Sequence, residues 1–309
     1  MHLAYIYRKS YYKSGISMKQ LWSKEKEIEF FIESRKFATP EKLFYVSKGK
    51  KYFAYWPKTY KDEKTTLQSR NSLIGSFTEK YSVDLLQEFA SKHKWYSVQG
   101  VVCEEIGLTR QSSADVVICK TKDIVQKPEN IFMIFEVKMS IVWNWELKQT
   151  GKEEELICLG DYKSHKGNPG LLRSDSMLKA IGKSINIRVS DYAASRIPII
   201  ILGNTPITTS YHKKVDFLKN AGIIQGFWSV NSAPLDGNGE NIKRTSKDGF
   251  IRMDAYSELE NYLEKLTIEP NEFFSSMKSR KELGRIIEIA NKESDIEKKA
   301  EKFLTLIRN

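Results

Sequence analysis

Apolar and polar positions form distinct segments along the chain, and these segments predict a mixed α/β fold. Helical spacing of apolar positions occurs over residues 18–35, from Asn71 or Ser72 to about Lys92, and over 174–189 and 211–220. Short apolar runs predict strands at 97–103, 114–119, 131–138, 197–202 and 223–230, with a further short strand over the sequence FIRM near residue 250. Helices and strands therefore alternate through most of the chain.

Three further segments have their own patterns. Residues 43–57 predict a β-hairpin, because two aromatic runs flank Ser-Lys-Gly-Lys and Pro57 stops the second run. Residues 149–170 are rich in Gly, Lys and Glu and predict an exposed loop. After a Gly/Asn loop at 236–241, charged segments predict two or three helices.

These patterns divide the chain into three parts. Residues 1–70 form a basic, aromatic N-terminal region, residues 71–235 form the α/β core, and residues 236–309 form a mainly helical C-terminal region. The predicted fold class is α/β, with a mixed central sheet flanked by helices and additions at both ends.

The positive charge is concentrated at the N-terminal end. The net charge is +11, and residues 1–70 contain 16 Lys and Arg against 7 Asp and Glu, together with 15 of the 36 aromatic residues. Clustered cations suit a polyanion, because they displace condensed counterions from phosphate backbones. A small subdomain whose aromatic residues simply form its core explains the composition equally well.

Composition also limits the location of the protein. The longest apolar runs, Ile131–Val137 and Ile197–Leu202, are far shorter than the roughly 18 residues of a membrane span. Three cysteines without CxxC or Cys/His spacing indicate neither a disulfide framework nor a zinc site. We therefore expect a cytoplasmic protein without a membrane partner.

The chemically informative residues lie in two neighbouring predicted strands. Asp115 opens the first strand, and Glu136 and Lys138 lie in the second. Side chains alternate along a strand, so Glu136 and Lys138 must project from the same face. Two charges among apolar neighbours are costly unless a counter-charge neutralises them, and a bound cation is one such counter-charge.

The Asp/Glu-x-Lys triplet is not specific by itself. It occurs five times, at Asp62–Lys64, Glu136–Lys138, Glu146–Lys148, Asp161–Lys163 and Glu297–Lys299. Only the triplet at Glu136 lies within an apolar strand and follows a strand that begins with an aspartate. The context therefore carries the specificity.

This arrangement resembles the core of the PD-(D/E)XK nucleases over about residues 71–230. The resemblance implies a restriction-endonuclease-like fold in which Asp115 matches the motif aspartate, Glu136 the second acid and Lys138 the lysine. Ala114 stands where the motif has proline. Many members carry a glutamate on the first helix, so Glu79 is a possible further catalytic residue. Its role requires the stripe that contains Gly75 to pack against the sheet, whereas packing of the opposite face would leave Glu79 in solvent.

The residue types favour metal-dependent hydrolysis of phosphodiester bonds. The carboxylates of Asp115 and Glu136 are hard oxygen donors that suit Mg²⁺, and the resemblance adds the backbone carbonyl of Val137 to the ligands. Lys138 would position the attacking water and offset charge on the phosphate. The class implied is a type II restriction endonuclease that cuts double-stranded DNA at a specific sequence, leaving 5′-phosphate and 3′-hydroxyl ends.

Such an enzyme implies partners and contacts. Cutting both strands implies a homodimer, and the genetic partner would be a cognate DNA methyltransferase. Six basic residues are candidate DNA contacts: Lys48, Lys50, Lys51, Arg173, Lys179 and Lys183.

The four histidines are expected at the surface or as caps, since none has ligand spacing. The run Trp143-Asn144-Trp145 could stack a base or brace a dimer, although packing in the core is the favoured interpretation.

Two alternatives stay open. The same core serves nucleases of repair, recombination or transposon-end cleavage. A basic nucleic-acid-binding protein without catalysis is the non-enzymatic alternative, although it has no evident reason to keep all three of Asp115, Glu136 and Lys138.

Overall fold

A computed structural model describes residues 6–7, 21–65, 67, 70–151, 153–237, 239–268 and 279–308. Within these ranges the strands are β1 (Ile6–Tyr7), β2 (Tyr45–Val46), β3 (Tyr52–Phe53), β4 (Tyr96–Val101), β5 (Ala114–Cys119), β6 (Ile131–Lys138), β7 (Asn144–Thr150), β8 (Glu153–Gly160), β9 (Ile199–Gly203), β10 (Gly226–Ser229) and β11 (Phe250–Arg252). The α-helices are α1 (Lys24–Ser34), α2 (Pro40–Leu43), α3 (Arg70–Lys92), α4 (Ser174–Ser190), α5 (His212–Asn220), α6 (Tyr256–Ile268), α7 (Arg280–Ala290) and α8 (Ile296–Arg308).

A six-stranded mixed sheet forms the centre of the molecule. Its order is β11-β10-β9-β6-β5-β4. The pairs β4–β5 and β5–β6 are antiparallel, whereas β6, β9, β10 and β11 run parallel to one another. The predicted α/β class with a mixed central sheet is confirmed, because the apolar runs of the sequence form these strands.

Helices cover both faces of this sheet. Side chains of α3 and α6 pack with Phe135 and Val116 on one face. On the other face, α4 contributes Ile187 to a cluster with Ile134 and Val117. Alternation along β5 and β6 decides which residues face which helices. Asp115 shares the face of Val117, and Glu136 shares the face of Ile134, so both acids point to the side that α4 covers.

A smaller antiparallel sheet has the order β1-β8-β7-β3-β2. Its main component is the β7–β8 ribbon. The ribbon occupies the first half of the segment predicted to be a loop at 149–170, so that prediction is wrong as far as Gly160 and holds for 161–169. The ribbon is rich in charged residues because most of its side chains are partly or fully exposed. Opposite charges face each other across it, as in the pair Lys148 and Glu155.

The N-terminal hairpin forms where it was predicted but is short. Two residues of β2 pair with two of β3, and Lys50 in the turn has a φ of 55°. Strand β3 then pairs with β7. Of the eleven aromatic residues in this region whose burial the structure describes, six are buried, including Trp22, Phe30 and Phe44. The interpretation of these residues as a core is therefore confirmed for this part of the region.

Contacts cross both boundaries of the predicted three-part division of the chain. At the first, α1 packs with α3 in one apolar cluster. At the second, β11 from the C-terminal region extends the central sheet beside β10. The described part of that region also contains α6, α7 and α8, with α7 packed on α8. In the described ranges, no helix combines the length and apolar character needed to cross a membrane.

Candidate active site

The two strands that were singled out by sequence bring their charged residues together at one end of the central sheet. Strand β5 begins at Ala114, and β6 ends at Lys138. Val116 pairs with Phe135, and one further step along these antiparallel strands places Asp115 opposite Glu136. The structure thus gathers Asp115, Glu136 and Lys138 on the α4 face of the sheet, where a strand begins beside the end of its neighbour.

Lys138 contacts both acids. Its Nζ lies 2.6 Å from Oε1 of Glu136 and 3.4 Å from Oδ2 of Asp115. The side chain of Glu136 is 8 % exposed, that of Asp115 17 % and that of Lys138 19 %. The predicted placement of Glu136 and Lys138 on one face is confirmed by this contact.

A second lysine completes the cluster. Lys183 of α4 lies with its Nζ 2.6 Å from Oε2 of Glu136, although the direction is not that of a hydrogen bond, and 3.3 Å from Oδ1 of Asp115. It also donates to the carbonyl oxygen of Ser113 at 2.7 Å. The sequence assigned Lys183 to DNA contact, and the structure instead brings it to the carboxylates. Strand alternation places both acids on one face of the sheet, but it does not show that α4 covers that face.

The backbone at Val137 is part of the same cluster. Its N–H donates to Oδ2 of Asp115 at 2.7 Å, which anchors that carboxylate against β6. Its carbonyl oxygen accepts from Nζ of Lys138 at 3.1 Å. The carbonyl of Val137 therefore shares Lys138 as a neighbour with both acids, and its role as a metal ligand stays a prediction.

Charge in the cluster is balanced. Two carboxylates face two ammonium groups, which limits the cost of burying any of them. Burial opposes the charge on Lys138, but the carboxylates of Glu136 and Asp115 more than offset burial and raise the pKa of Lys138 above its ordinary value. Lys138 is therefore an ammonium at neutral pH, suited to stabilise negative charge and not to accept a proton.

Glu79 lies at the margin of this cluster. The sequence left two packings of α3 open. Tyr81 and Leu85 are buried, and a methyl group placed on Gly75 would contact nothing within 4 Å, so the structure favours packing of the face opposite the Gly75 stripe. The carboxylate of Glu79 is half-buried and accepts from Nε2 of Gln99 at 2.8 Å. Burial, with a smaller contribution from Asp115, raises the pKa of Glu79.

A cleft of about 560 Å³ opens beside Lys138. It lies between the end of β6, the start of α3, the N-terminal hairpin and the segment before α4. Its cationic lining residues are Arg70, Lys138, Lys166 and Arg173, and no acidic residue of the described ranges lines it. Arg70 is buried and donates to backbone carbonyls, so Lys138, Lys166 and Arg173 are the cations that an anionic ligand meets first.

The other predicted DNA-contacting residues lie apart from the cluster. Lys179 is 72 % exposed and pairs with Asp175 one turn earlier on α4. Lys48, Lys50 and Lys51 are exposed in and beside the turn between β2 and β3. All four are accessible to a large ligand, and their role in DNA binding stays a prediction.

Two predictions about aromatic and histidine residues have different outcomes. Trp143, Asn144 and Trp145 are buried, which confirms packing in the core and leaves none of them free to stack on a base. His165 is also buried, so its expected surface position is wrong. Its ring stacks on Tyr55 with centroids 4.0 Å apart, and burial lowers its pKa to about 4.

The donor set limits the kind of metal that fits. In the part of the chain that the structure describes, no three His, Cys, Asp or Glu side chains lie together as a metal-binding group. Two carboxylates and a backbone carbonyl are oxygen donors only. Such a set suits a hard cation that keeps several waters, as Mg²⁺ does, and not a zinc site.

Comparison with known proteins adds no identification: no protein-family model, no curated protein and no solved structure matches this chain.

Proposed function

We propose that this chain is a Mg²⁺-dependent, sequence-specific endonuclease for double-stranded DNA, of the type II restriction class. The observation that carries the proposal is the joining of Asp115, Glu136 and Lys138 in one partly buried cluster at the end of two paired strands. The order of α3, β4, β5, β6, α4 and β9 supports a likeness to the restriction-endonuclease core. We also propose the cytoplasmic location that the sequence led us to expect.

Mg²⁺ fits the residues that are present. Asp115 and Glu136 would hold it, together with the carbonyl oxygen of Val137. When bound, Mg²⁺ supplies charge neutralisation at the phosphate and lowers the pKa of water. The N–H of Val137 anchors Asp115 for this role, and Mg²⁺ would take the place of lysine contacts at the carboxylate oxygens.

Lys138 would act on the substrate itself. Its raised pKa keeps it protonated at neutral pH, and it borders the cleft beside the carboxylates. A fixed ammonium at this place stabilises the negative charge that develops on a phosphate during attack and orients a water by hydrogen bonding.

The cleft provides a route for the DNA. Its excess of cations, with no acidic lining residue in the described part of the chain, favours a polyanion over a neutral ligand. Cleavage of both strands requires two active sites, which a homodimer with a two-fold axis provides. A protein of this class is paired genetically with a methyltransferase that protects the same DNA sequence.

A digest of a sequenced plasmid tests the proposal. The full-length protein is incubated with unmodified plasmid and Mg²⁺, or with EDTA. We expect discrete fragments in Mg²⁺ only, with ends that a ligase rejoins because they carry 5′-phosphate and 3′-hydroxyl groups. The absence of any metal-dependent cleavage would reject the nuclease.

Other patterns of products separate the alternatives. Fragments of random length indicate a nuclease without sequence specificity. Cleavage confined to damaged, branched or transposon-end DNA indicates repair, recombination or transposition. Binding to DNA without cleavage under all of these conditions favours the non-enzymatic alternative.

A further inference from the structure

The second lysine of the cluster has a different place from the first. Lys138 and Lys183 each contact one oxygen of Asp115 and one of Glu136, so together they engage all four carboxylate oxygens. Lys138 also borders the cleft, whereas Lys183 is not among the described residues that line it. Lys183 instead reaches back to the carbonyl of Ser113, just before β5 begins.

We propose that Lys183 is a positioning residue that holds the carboxylates of Asp115 and Glu136 in register and tunes their affinity for a divalent cation. The inference rests on the proposed function in taking these carboxylates as the metal ligands. It assigns Lys183 a role distinct from DNA contact.

The packing of α4 makes this role possible. Met177, Ala180, Ser184 and Ile187 are buried on the sheet side of the helix, so the backbone that carries Lys183 is fixed. From there the ammonium joins residues on two adjacent strands and a carbonyl on the segment before β5. Without this cation, the neighbouring carboxylates would repel each other in a region with little solvent screening.

The positive charge of Lys183 also lowers the affinity of the carboxylates for a divalent cation. A divalent cation at the carboxylate oxygens is repelled by an ammonium that lies 2.6 Å from Oε2 of Glu136. Lys183 therefore improves the alignment of the ligands while it weakens their attraction for the metal. A lysine with a merely structural role gives a different result on removal, because loss of local structure weakens metal binding and catalysis together.

Binding of Mn²⁺ to the full-length protein without DNA, measured by calorimetry, tests this inference. For Lys183→Gln we expect Mn²⁺ to bind about tenfold more tightly or better, because a repelling charge is lost. The rate of DNA cleavage in saturating Mg²⁺ should fall about tenfold or more, because the ligands are no longer aligned. Lys183→Arg, which keeps the charge, should retain a Mn²⁺ affinity within about threefold of the original.

Lys179→Gln is the matched control, since it removes the same charge one turn earlier on the same helix. Its exposed ammonium is screened by solvent, so we expect the Mn²⁺ affinity to change by less than about twofold. Circular dichroism and thermal unfolding verify that each variant is folded. Lys183→Met, which keeps the length of the side chain without its charge, replaces Lys183→Gln if that variant does not fold.

The outcomes separate this inference from the proposed function. Unchanged or weaker Mn²⁺ binding by a folded Lys183→Gln or Lys183→Met protein overturns the role of Lys183 and leaves the nuclease proposal standing. A wild-type protein that binds Mn²⁺ but cuts no DNA overturns the nuclease and leaves the affinity measurement valid. A wild-type protein that binds no Mn²⁺ without DNA overturns the role of Lys183, and the plasmid digest still decides the nuclease.

Discussion

Two buried glutamates in this molecule have very different surroundings. Glu27 of α1 is fully buried, and its carboxylate accepts from the indole N–H groups of Trp22 at 3.1 Å and Trp145 at 2.8 Å. The backbone N–H groups of Val142 and Trp143 also donate to it. All four donors are neutral, and they join α1 to the connection between β6 and β7.

Glu136 has charged partners instead. The ammonium groups of Lys138 and Lys183 each lie 2.6 Å from one of its oxygens. Both lysines also contact Asp115, and Lys138 borders the cleft. The carboxylate of Glu136 is therefore part of a charge-balanced group next to a space that a ligand can enter.

The difference distinguishes a structural carboxylate from one that is suited to chemistry. Neutral donors occupy both oxygens of Glu27 but do not cancel its charge, so burial raises the pKa of Glu27 to about 7 despite these hydrogen bonds. Glu136 instead contacts two ammonium groups, and a metal ion is able to take their place in part. A buried acid becomes a candidate for metal binding through its neighbours and not through its burial.

The largest effect is expected from removing the acids of the charged cluster. Glu136→Ala or Asp115→Ala should lower the rate of plasmid cleavage by about 10³-fold or more, because a metal ligand is lost. DNA binding in Ca²⁺ should be largely retained, since the substitution also removes a negative charge near the phosphate. Glu146→Ala, in the same kind of triplet on β7, should cut at the original rate. Near-normal cleavage by either of the first two variants would remove that acid from the site.

The next effect concerns stability. Glu27→Ala should lower the free energy of unfolding by about 3 kcal/mol or more, because four donors lose their acceptor in the protein interior. Glu25→Ala, two residues earlier and exposed, should change it by less than about 1 kcal/mol. Urea denaturation measures both values. A loss below about 1 kcal/mol for Glu27→Ala would show that water reaches these donors and that the site is not closed.

The pH dependence of stability sharpens the comparison. The pKa of Glu27 is raised from its ordinary value of 4.5 to about 7, so folding favours the protonated form. The associated stability is fully present below pH 4.5 and is lost as the pH rises through 7. Between pH 5 and pH 8 the free energy of unfolding should therefore fall by about 2–3 kcal/mol from this residue. Glu27→Gln should show a smaller fall over that interval, and an identical pH profile would reject the shift.

Much of the central sheet was predictable, because its signals are local. The apolar runs of β5, β6 and β9 and the long periodicity of α3 come from residues that are adjacent in sequence. The grouping of Asp115, Glu136 and Lys138 followed from strand alternation and from the expectation that neighbouring strands pair. The β7–β8 ribbon was missed because charged residues occur in exposed strands as well as in loops, so composition does not separate the two.

The remaining features depend on contacts between distant parts of the chain. Glu27 looks like another charged position in an amphipathic helix, and its donor Trp145 is 118 residues away. Lys183 lies on a helix with other basic residues, so its turn towards the sheet was not evident from the helix alone. Alternation along the strands places Asp115 on the face of Val117 and Glu136 on the face of Ile134. The assignment of α4 to that face required the structure.

The smallest effect is expected at Glu79, whose surroundings share features with those of both Glu27 and Glu136. It is half-buried, accepts from the neutral donor Gln99, and experiences the field of Asp115 without an ion pair to Lys138 within the described part of the chain. Glu79→Gln keeps the shape and should lower the cleavage rate by less than about tenfold. The free energy of unfolding should change by less than about 0.5 kcal/mol, with exposed Lys80→Gln as the control. A loss of about 10²-fold in rate without a loss of stability would instead place Glu79 with Glu136, because only a group that acts on the metal, its waters or the substrate produces that combination.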